Sequence, residues 1–248
     1  MATAGETYQA EAEPLVPPMR LSKDVPAEVR VGFVRKVYSI LTVQLLLTTA
    51  IAAPLQRAST QWVNNNQWLL FLSLALMIAS MCSMCFCGGM LRMYPYNYIF
   101  LFGFTSFMGV SVGFAAAAYT GWSVILAAGV TCLIFFALTI YAWNTSTDFT
   151  GLAPYLFALL ACLSIMGLVI TILTLSGVQV VWLNMLYDVI AVLIFSSYII
   201  FDTQMMLGDW GGHKMQFSID DYVFAALTLY LDIINLFLHI LSLLGERK

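Results

Sequence analysis

Charged residues are scarce in this sequence. Only 9% of its 248 residues are Asp, Glu, Lys or Arg, and 61% are hydrophobic, whereas a soluble domain carries about 25% charged residues. So few charges cannot cover the surface of a water-soluble globule of this size, and lipid must therefore surround most of the chain. Basic patches interleaved with aromatic residues are also missing, which excludes nucleic acid as a partner. The composition predicts an all-α integral membrane protein rather than a soluble enzyme.

Lysine is especially rare, and its distribution excludes further classes. Between residues 37 and 247 the only lysine is Lys214, in a loop, whereas a retinal protein needs one in its last helix. The receptor motifs Asp-Arg-Tyr after the third span and Asn-Pro-x-x-Tyr in the last are also lacking. A membrane enzyme is disfavoured because His239 and Asp232 share a helix face without another catalytic partner.

Long apolar segments are abundant instead. A membrane-spanning helix needs about 20 such residues, because the hydrocarbon core is about 30 Å thick and a helix rises about 1.5 Å per residue. Seven segments qualify, at approximately 37–55, 68–91, 98–119, 122–143, 152–175, 181–207 and 222–244. The connection Thr120–Gly121 predicts a tight antiparallel hairpin of the third and fourth spans. Gly103, Gly109 and Gly113 predict close approach of a neighbouring backbone.

The first 32 residues differ from the rest. They contain five acidic residues and four of the seven prolines, which predicts a flexible cytosolic tail (1–32) before a membrane domain (33–248). The tail has no apolar core for a signal peptidase, so no cleaved signal is expected. With the tail in the cytosol, seven Lys or Arg residues lie on the cytosolic side and three on the other, as the positive-inside rule favours. The sequon at Asn144 is then cytosolic and unglycosylated.

Three aspartates lie inside the predicted spans. An aspartate costs about 2.5–3.5 kcal/mol near the centre of a membrane helix, so each is a functional candidate. Asp188 and Asp202 are in the sixth span and Asp232 is in the seventh. Asp202 and Asp232 flank the same cytosolic loop, and the rise per residue leaves a depth mismatch of roughly 7 Å between them. Asp188 lies about four turns from Asp202, near the opposite membrane face, where a plain interfacial role is sufficient.

Polar residues in the seventh span form one stripe. Thr228, Asp232, Asn235, His239 and Ser242 recur at spacings of 4, 3, 4 and 3 residues, which places them on one helix face. Such a stripe is typical either of the wall of a hydrated path or of an interhelical hydrogen-bond seam. Asp232 favours the path, because an amide would build a seam without a titrating charge.

The chemistry of the aspartate pair follows if Asp202 and Asp232 meet. Two carboxylates in a poor dielectric cannot both ionise cheaply, so they share a proton and titrate as a unit. Protonated, they join the two helices; deprotonated, they repel and offer hard oxygen ligands suited to weak calcium binding. We therefore predict a pH-sensitive gate and calcium site there. Arg92, at the cytosolic end of the second span, is a candidate counter-charge for Asp202, and equally a positive-inside anchor.

Several segments carry a family resemblance. These are FVRKVYSILTVQLLLTT (33–49), YPYNYIFLFGFT (94–105), FFALTIY (135–141), YIIFDT (198–203) and LTLYLDIINLFLHIL (227–241). Through them the chain resembles the transmembrane BAX-inhibitor-motif, or Lifeguard, family, and is most like its Golgi anti-apoptotic branch. The resemblance implies seven helices with the last one central. It also implies calcium leak from Golgi or endoplasmic-reticulum stores, gated by Asp202 and Asp232, that modulates cell death.

The resemblance also implies a latch and a set of partners. Family members carry an arginine cluster at the end of the second helix, where this chain has only Arg92. The implied partners are membrane lipid, the permeant calcium ion and other membrane or apoptosis-regulating proteins, with no tightly bound cofactor. The alternative function is a non-conducting membrane scaffold that regulates apoptosis through protein partners.

Overall fold

A computed structural model describes residues 27–86, 93–178, 180–208 and 216–248. Within these ranges the chain is helical and contains no β-strand, apart from an isolated bridge between Tyr119 and Arg247. The helices are α1 (Ala27–Gln56), α2 (Thr60–Asn65), α3 (Gln67–Phe86), α4 (Tyr96–Ala117), α5 (Gly121–Asn144), α6 (Ala153–Leu175), α7 (Val181–Leu207) and α8 (Tyr222–Leu244). Single 3₁₀ turns precede α6 and α8.

Six of these helices, α1 and α4 to α8, are long and apolar enough to cross a membrane, while α3 contributes a shorter apolar stretch over Gln67–Ser83. The chain is therefore a multi-pass, all-helical membrane protein, as the composition predicts. The seven predicted segments fall on α1 and α3 to α8, although α1 begins at Ala27, well before residue 37. The count of seven spans stays a prediction.

The ends of three helices meet at one face of the bundle. The side-chain amide of Gln56, the last residue of α1, donates to the carbonyl of Tyr119 just after α4, at 3.2 Å. Beyond α8, Glu246 accepts a hydrogen bond from the Thr120 backbone at 2.9 Å, and the Lys248 backbone donates to Ala118 at 3.0 Å. Helices α1, α4 and α8 therefore all end at this face. The chain between α1 and α4, which includes α3, returns across the bundle.

Small residues bring α4 close to α1. A Cβ atom on Gly113 would lie 2.7 Å from the Leu55 side chain, and one on Gly109 would lie 3.1 Å from the Cβ of Ile51. The predicted close approach is confirmed at these two glycines. It is wrong for Gly103, where a Cβ would have no neighbour within 4 Å. Gly103 misses α1 because its distance from Gly109 is not a multiple of the helical repeat.

The predicted tight hairpin of the third and fourth spans is also wrong. The connection between α4 and α5 is short, but these two helices do not pack side by side; α4 packs against α1 and α3, whereas α5 packs against α7 and α8. The glycine face of α4 fits α1, and the chain end beyond α8 occupies the space at the connection, where the backbone of Glu246 donates to the Ser123 hydroxyl at 2.9 Å.

Helix α8 has protein on most sides. It contacts α1, α4, α5 and α7. Within its apolar stretch of 18 residues, 61% are buried, the largest share among the six span helices, whereas the corresponding share for α6 is 11%. Its polar side chains therefore lie mainly against other helices. This arrangement removes much of the cost of placing Asp232 and His239 at membrane depth.

Local contacts fix where α8 begins. Asp221 follows Ser218 by three residues, a spacing that predicts a capping box from the sequence. The two residues form that capping box, with the Ser218 backbone donating to the Asp221 carboxylate at 3.2 Å. The next residue, Tyr222, accepts a hydrogen bond from the Asn97 amide at 3.1 Å, and the Lys36 ammonium lies 3.2 Å from its ring centroid. The start of α8 is thereby joined to both α1 and α4.

Candidate functional site

The two aspartates beside the last loop come together. Asp202 on α7 and Asp232 on α8 are 5% and 6% exposed. Their carboxyl groups lie within hydrogen-bonding reach of each other, and the Thr228 side chain adjoins Asp202. Thr228 is almost level with Asp202 when residues are counted from the loop, and Asp232 is one turn deeper. The expected depth mismatch is therefore bridged by side chains between the two helices.

The surroundings of the pair supply few hydrogen-bond donors. Tyr198, one turn before Asp202, is close enough to interact electrostatically with both carboxyl groups. The Oδ2 atom of Asp232 is buried and receives no hydrogen bond from any described residue. No Lys or Arg in the described ranges forms an ion pair with either aspartate. A buried acceptor without a donor is costly, so this arrangement favours a proton or a cation at this oxygen.

The predicted arginine latch and the predicted calcium site have fewer supporting contacts than the aspartate pair. Arg92 lies outside the described residues, so its contact with Asp202 stays a prediction. Over the described ranges, no three His, Cys, Asp or Glu side chains converge. Calcium takes about six to eight oxygen ligands. Asp202 and Asp232 would therefore need oxygens from Thr228, backbone carbonyls and water to hold it.

The polar stripe on α8 is not a continuous seam between helices. The Thr228 hydroxyl donates to the Ala225 carbonyl at 3.2 Å, and the Asn235 amide donates to the Leu231 carbonyl at 2.8 Å, both within α8. Asp232 faces Asp202. The stripe therefore divides into one interhelical cluster at Asp232 and a second at His239 and Ser242, with Asn235 between them.

The second cluster is centred on Asp188, whose role the sequence leaves unassigned. Asp188 is only 7% exposed, so its carboxylate is surrounded mainly by protein. A hydrogen bond of 2.8 Å joins its Oδ1 to Nδ1 of His239, and the Ser242 hydroxyl donates to its Oδ2 at 2.6 Å. The His239 ring stacks on Phe195 and meets the edge of Tyr187, at centroid distances of 5.8 and 5.5 Å. Both carboxylate oxygens of Asp188 are thus held by α8.

Counting residues along α7 and α8 from the loop that joins them could have predicted this cluster. Asp188 lies nineteen residues before the end of α7 at Leu207. The residue nineteen positions after the start of α8 is Leu241, between His239 and Ser242. Antiparallel neighbours joined by one loop place such residues at equal depth.

Residues 30–248 match the family described as Bax1-I, inhibitor of apoptosis-promoting Bax1. This chain belongs to the Bax1-I family. Among curated relatives, human Protein lifeguard 3 is 34% identical over 223 residues, covering 89% of this chain and 70% of the relative. Mouse Protein lifeguard 3 is 32% identical over 222 residues, covering 89% and 71%. Protein LIFEGUARD 4 of Arabidopsis thaliana is 34% identical over 221 residues, covering 87% and 85%.

Membership in the Bax1-I family confirms the resemblance found in the sequence. The matched residues include the Asp202–Asp232 pair, the cluster around Asp188 and every helix from α2 onward. The family description links its members to the regulation of apoptosis. It does not state an ion, a compartment or an activity for this chain.

One further polar residue of this Bax1-I protein escaped the sequence reasoning. Gln204, two residues after Asp202, is fully buried. Its amide nitrogen donates to the Thr147 carbonyl at 2.9 Å, and its amide oxygen accepts from the Phe149 backbone at 2.8 Å. Gln204 therefore anchors this end of α7 to the connection between α5 and α6. Its only sequence signal is an amide in an apolar segment.

Proposed function

We propose that this Bax1-I family member is a calcium-permeable leak channel of Golgi or endoplasmic-reticulum membranes, with Asp202 and Asp232 as its pH-sensitive gate. Its effect on cell death would follow from altered store calcium. The observation that supports this function best is the burial of two carboxyl groups against each other with no basic partner among the described residues.

The proposed gate follows from the electrostatics of the pair. Two like charges in a low dielectric repel strongly, so the closed arrangement of Asp202 and Asp232 requires a shared proton. Losing that proton leaves two carboxylates that repel each other and separate α7 from α8. The same carboxylates then present hard oxygen ligands to a calcium ion. Two of them bind it weakly, as conduction requires.

The proposed topology has seven spans, the amino terminus in the cytosol and α8 at the centre. The common direction of α1 and α4 supports a returning span at α3, because the chain must cross back between them. The four neighbours of α8 support its central place. The excess of basic residues on the side of the tail supports the orientation.

Calcium flux from purified protein in liposomes tests the gate. We expect wild-type flux to rise with pH, because deprotonation separates the two carboxylates. In Asp232→Asn the amide cannot release a proton, so the pH dependence should be lost. The matched control is Asp220→Asn, which removes an exposed carboxylate from the same loop and should leave the pH profile unchanged.

Two results would contradict the proposal. If Asp232→Asn retains both the flux and its pH dependence, the aspartate pair is not the gate. If folded wild-type protein conducts no calcium at any pH, the channel is wrong, and the non-conducting scaffold becomes the better account of this family member.

A further inference from the structure

An apolar cleft separates α1 from α5. It has a volume of about 440 Å³ and is lined by residues from Tyr38 to Leu45 on α1, by residues from Cys132 to Asn144 on α5, and by Ile233 of α8. The two flanking helices do not pack against each other along their length. A volume of this size falls within the range of about 300–1,000 Å³ typical of small-molecule sites.

The cleft opens toward the membrane rather than toward water. Phe136 and Ile140 at its edge are each 61% exposed, and they lie within a span helix, where the exposed surface meets hydrocarbon. From Cys132 to Asn144 the cleft follows α5 for about 18 Å of helix rise. This length is close to half of the hydrocarbon core, whose thickness is about 30 Å. An acyl chain of one leaflet therefore matches the cleft in both polarity and length.

A cation precedes the cleft on α1, before the end that Tyr38 and Asn144 line. Arg35 is exposed and lies one turn before Tyr38 and two turns before Thr42, on the same face of α1. It forms no ion pair within the described ranges. Trp143, half exposed on α5, lies at the same end, as expected for a tryptophan at headgroup level. An arginine there suits a phosphate, which it can bind through two parallel hydrogen bonds.

We propose that this cleft binds one anionic phospholipid, with an acyl chain between α1 and α5 and the headgroup phosphate at Arg35. The acyl chain would reach Ile233, which directly follows Asp232 on α8, so the lipid would contact the helix that carries one aspartate of the pair. The site requires only the cleft and its cation, and it does not depend on calcium conduction.

Photocrosslinking in liposomes tests the lipid site without measuring ion flux. The probes are phosphatidylserine and phosphatidylcholine that carry a photoreactive group on one acyl chain, and labelled peptides are mapped by mass spectrometry. We expect labelling on the facing walls of α1 and α5. Unlabelled phosphatidylserine should compete about fivefold better than phosphatidylcholine, since one basic residue contributes about 1 kcal/mol toward anionic lipid. Arg35→Gln should remove this preference, whereas Arg57→Gln, which changes an exposed arginine beyond the other end of α1, should retain it.

Tryptophan substitutions that fill the cleft from either wall provide a second test of the lipid site. Thr139→Trp on α5 and Leu45→Trp on α1 should each reduce cleft labelling several-fold in protein that elutes as a folded species. Leu133→Trp changes an outward residue that is 72% exposed and should leave the labelling intact. Labelling spread evenly over all lipid-facing helices and insensitive to both filling variants would mean annular lipid only. Labelling of the cleft without headgroup preference would overturn the assignment of an anionic lipid.

Discussion

The hydrogen bond between Asp188 and His239 should couple α7 to α8 energetically. It is buried, short at 2.8 Å, and supported by aromatic contacts of the His239 ring. We expect Asp188→Leu and His239→Phe to destabilise the protein individually, because each removes the hydrogen bond between the two side chains and leaves the partner's bonding atom unpaired. The phenylalanine preserves stacking on Phe195. The double variant should therefore be less destabilised than the two single effects combined.

The expected size follows from the setting of the bond. Hydrogen bonds between membrane helices contribute about 0.6 kcal/mol on average and about 1.7 at most, whereas bonds to charged groups contribute about 1.5–3 kcal/mol in water-soluble proteins. Since Asp188 also accepts a bond from Ser242, part of its stabilisation survives the loss of His239. We therefore expect a coupling energy of about 1–2 kcal/mol.

Unfolding in mixed micelles with increasing denaturing detergent, followed by circular dichroism, measures these free energies. The control cycle combines Asp188→Leu with Asn235→Leu, because the Asn235 amide donates to its own helix. Its coupling should stay below about 0.5 kcal/mol. If the Asp188–His239 coupling is equally small, the cluster does not join the helices and the reasoning is refuted.

Two further variants test local packing. Gly113→Ala should destabilise the protein by about 1–3 kcal/mol, because its Cβ would overlap the Leu55 side chain. Gly103→Ala is the control and should be neutral or stabilising, because the space around Gly103 is open. Equal unfolding midpoints of the two variants in denaturing detergent would contradict this prediction. Ser218→Ala should lower the stability of the start of α8 by about 1 kcal/mol, because it removes the capping box with Asp221. We expect faster amide hydrogen exchange there. Unchanged exchange would show that the cap contributes nothing.

Predictions from the sequence succeeded where the signal is local. Apolar length predicts the span helices, and the spacing of Ser218 and Asp221 predicts the capping box, because both depend on neighbouring residues alone. One loop joins the helices of Asp202 and Asp232, so the sequence makes their approach possible, but the depth mismatch of roughly 7 Å leaves the contact itself to the tertiary structure. The predicted hairpin of α4 and α5 is wrong because a short loop limits only how far the two helix ends can separate. It does not decide which helix faces pack together.

The sequence by itself determined that lipid surrounds this chain, where its helices lie and which side chains are too polar to face hydrocarbon, because these follow from composition and from the helical repeat. Only the tertiary structure decided that Asp188 meets His239, that Gly113 rather than Gly103 contacts α1, and that α1 and α5 remain apart around a cleft. Such contacts join residues far apart in the chain, and they depend on the rotation and tilt of each helix in the bundle. Neither rotation nor tilt is encoded in any single segment.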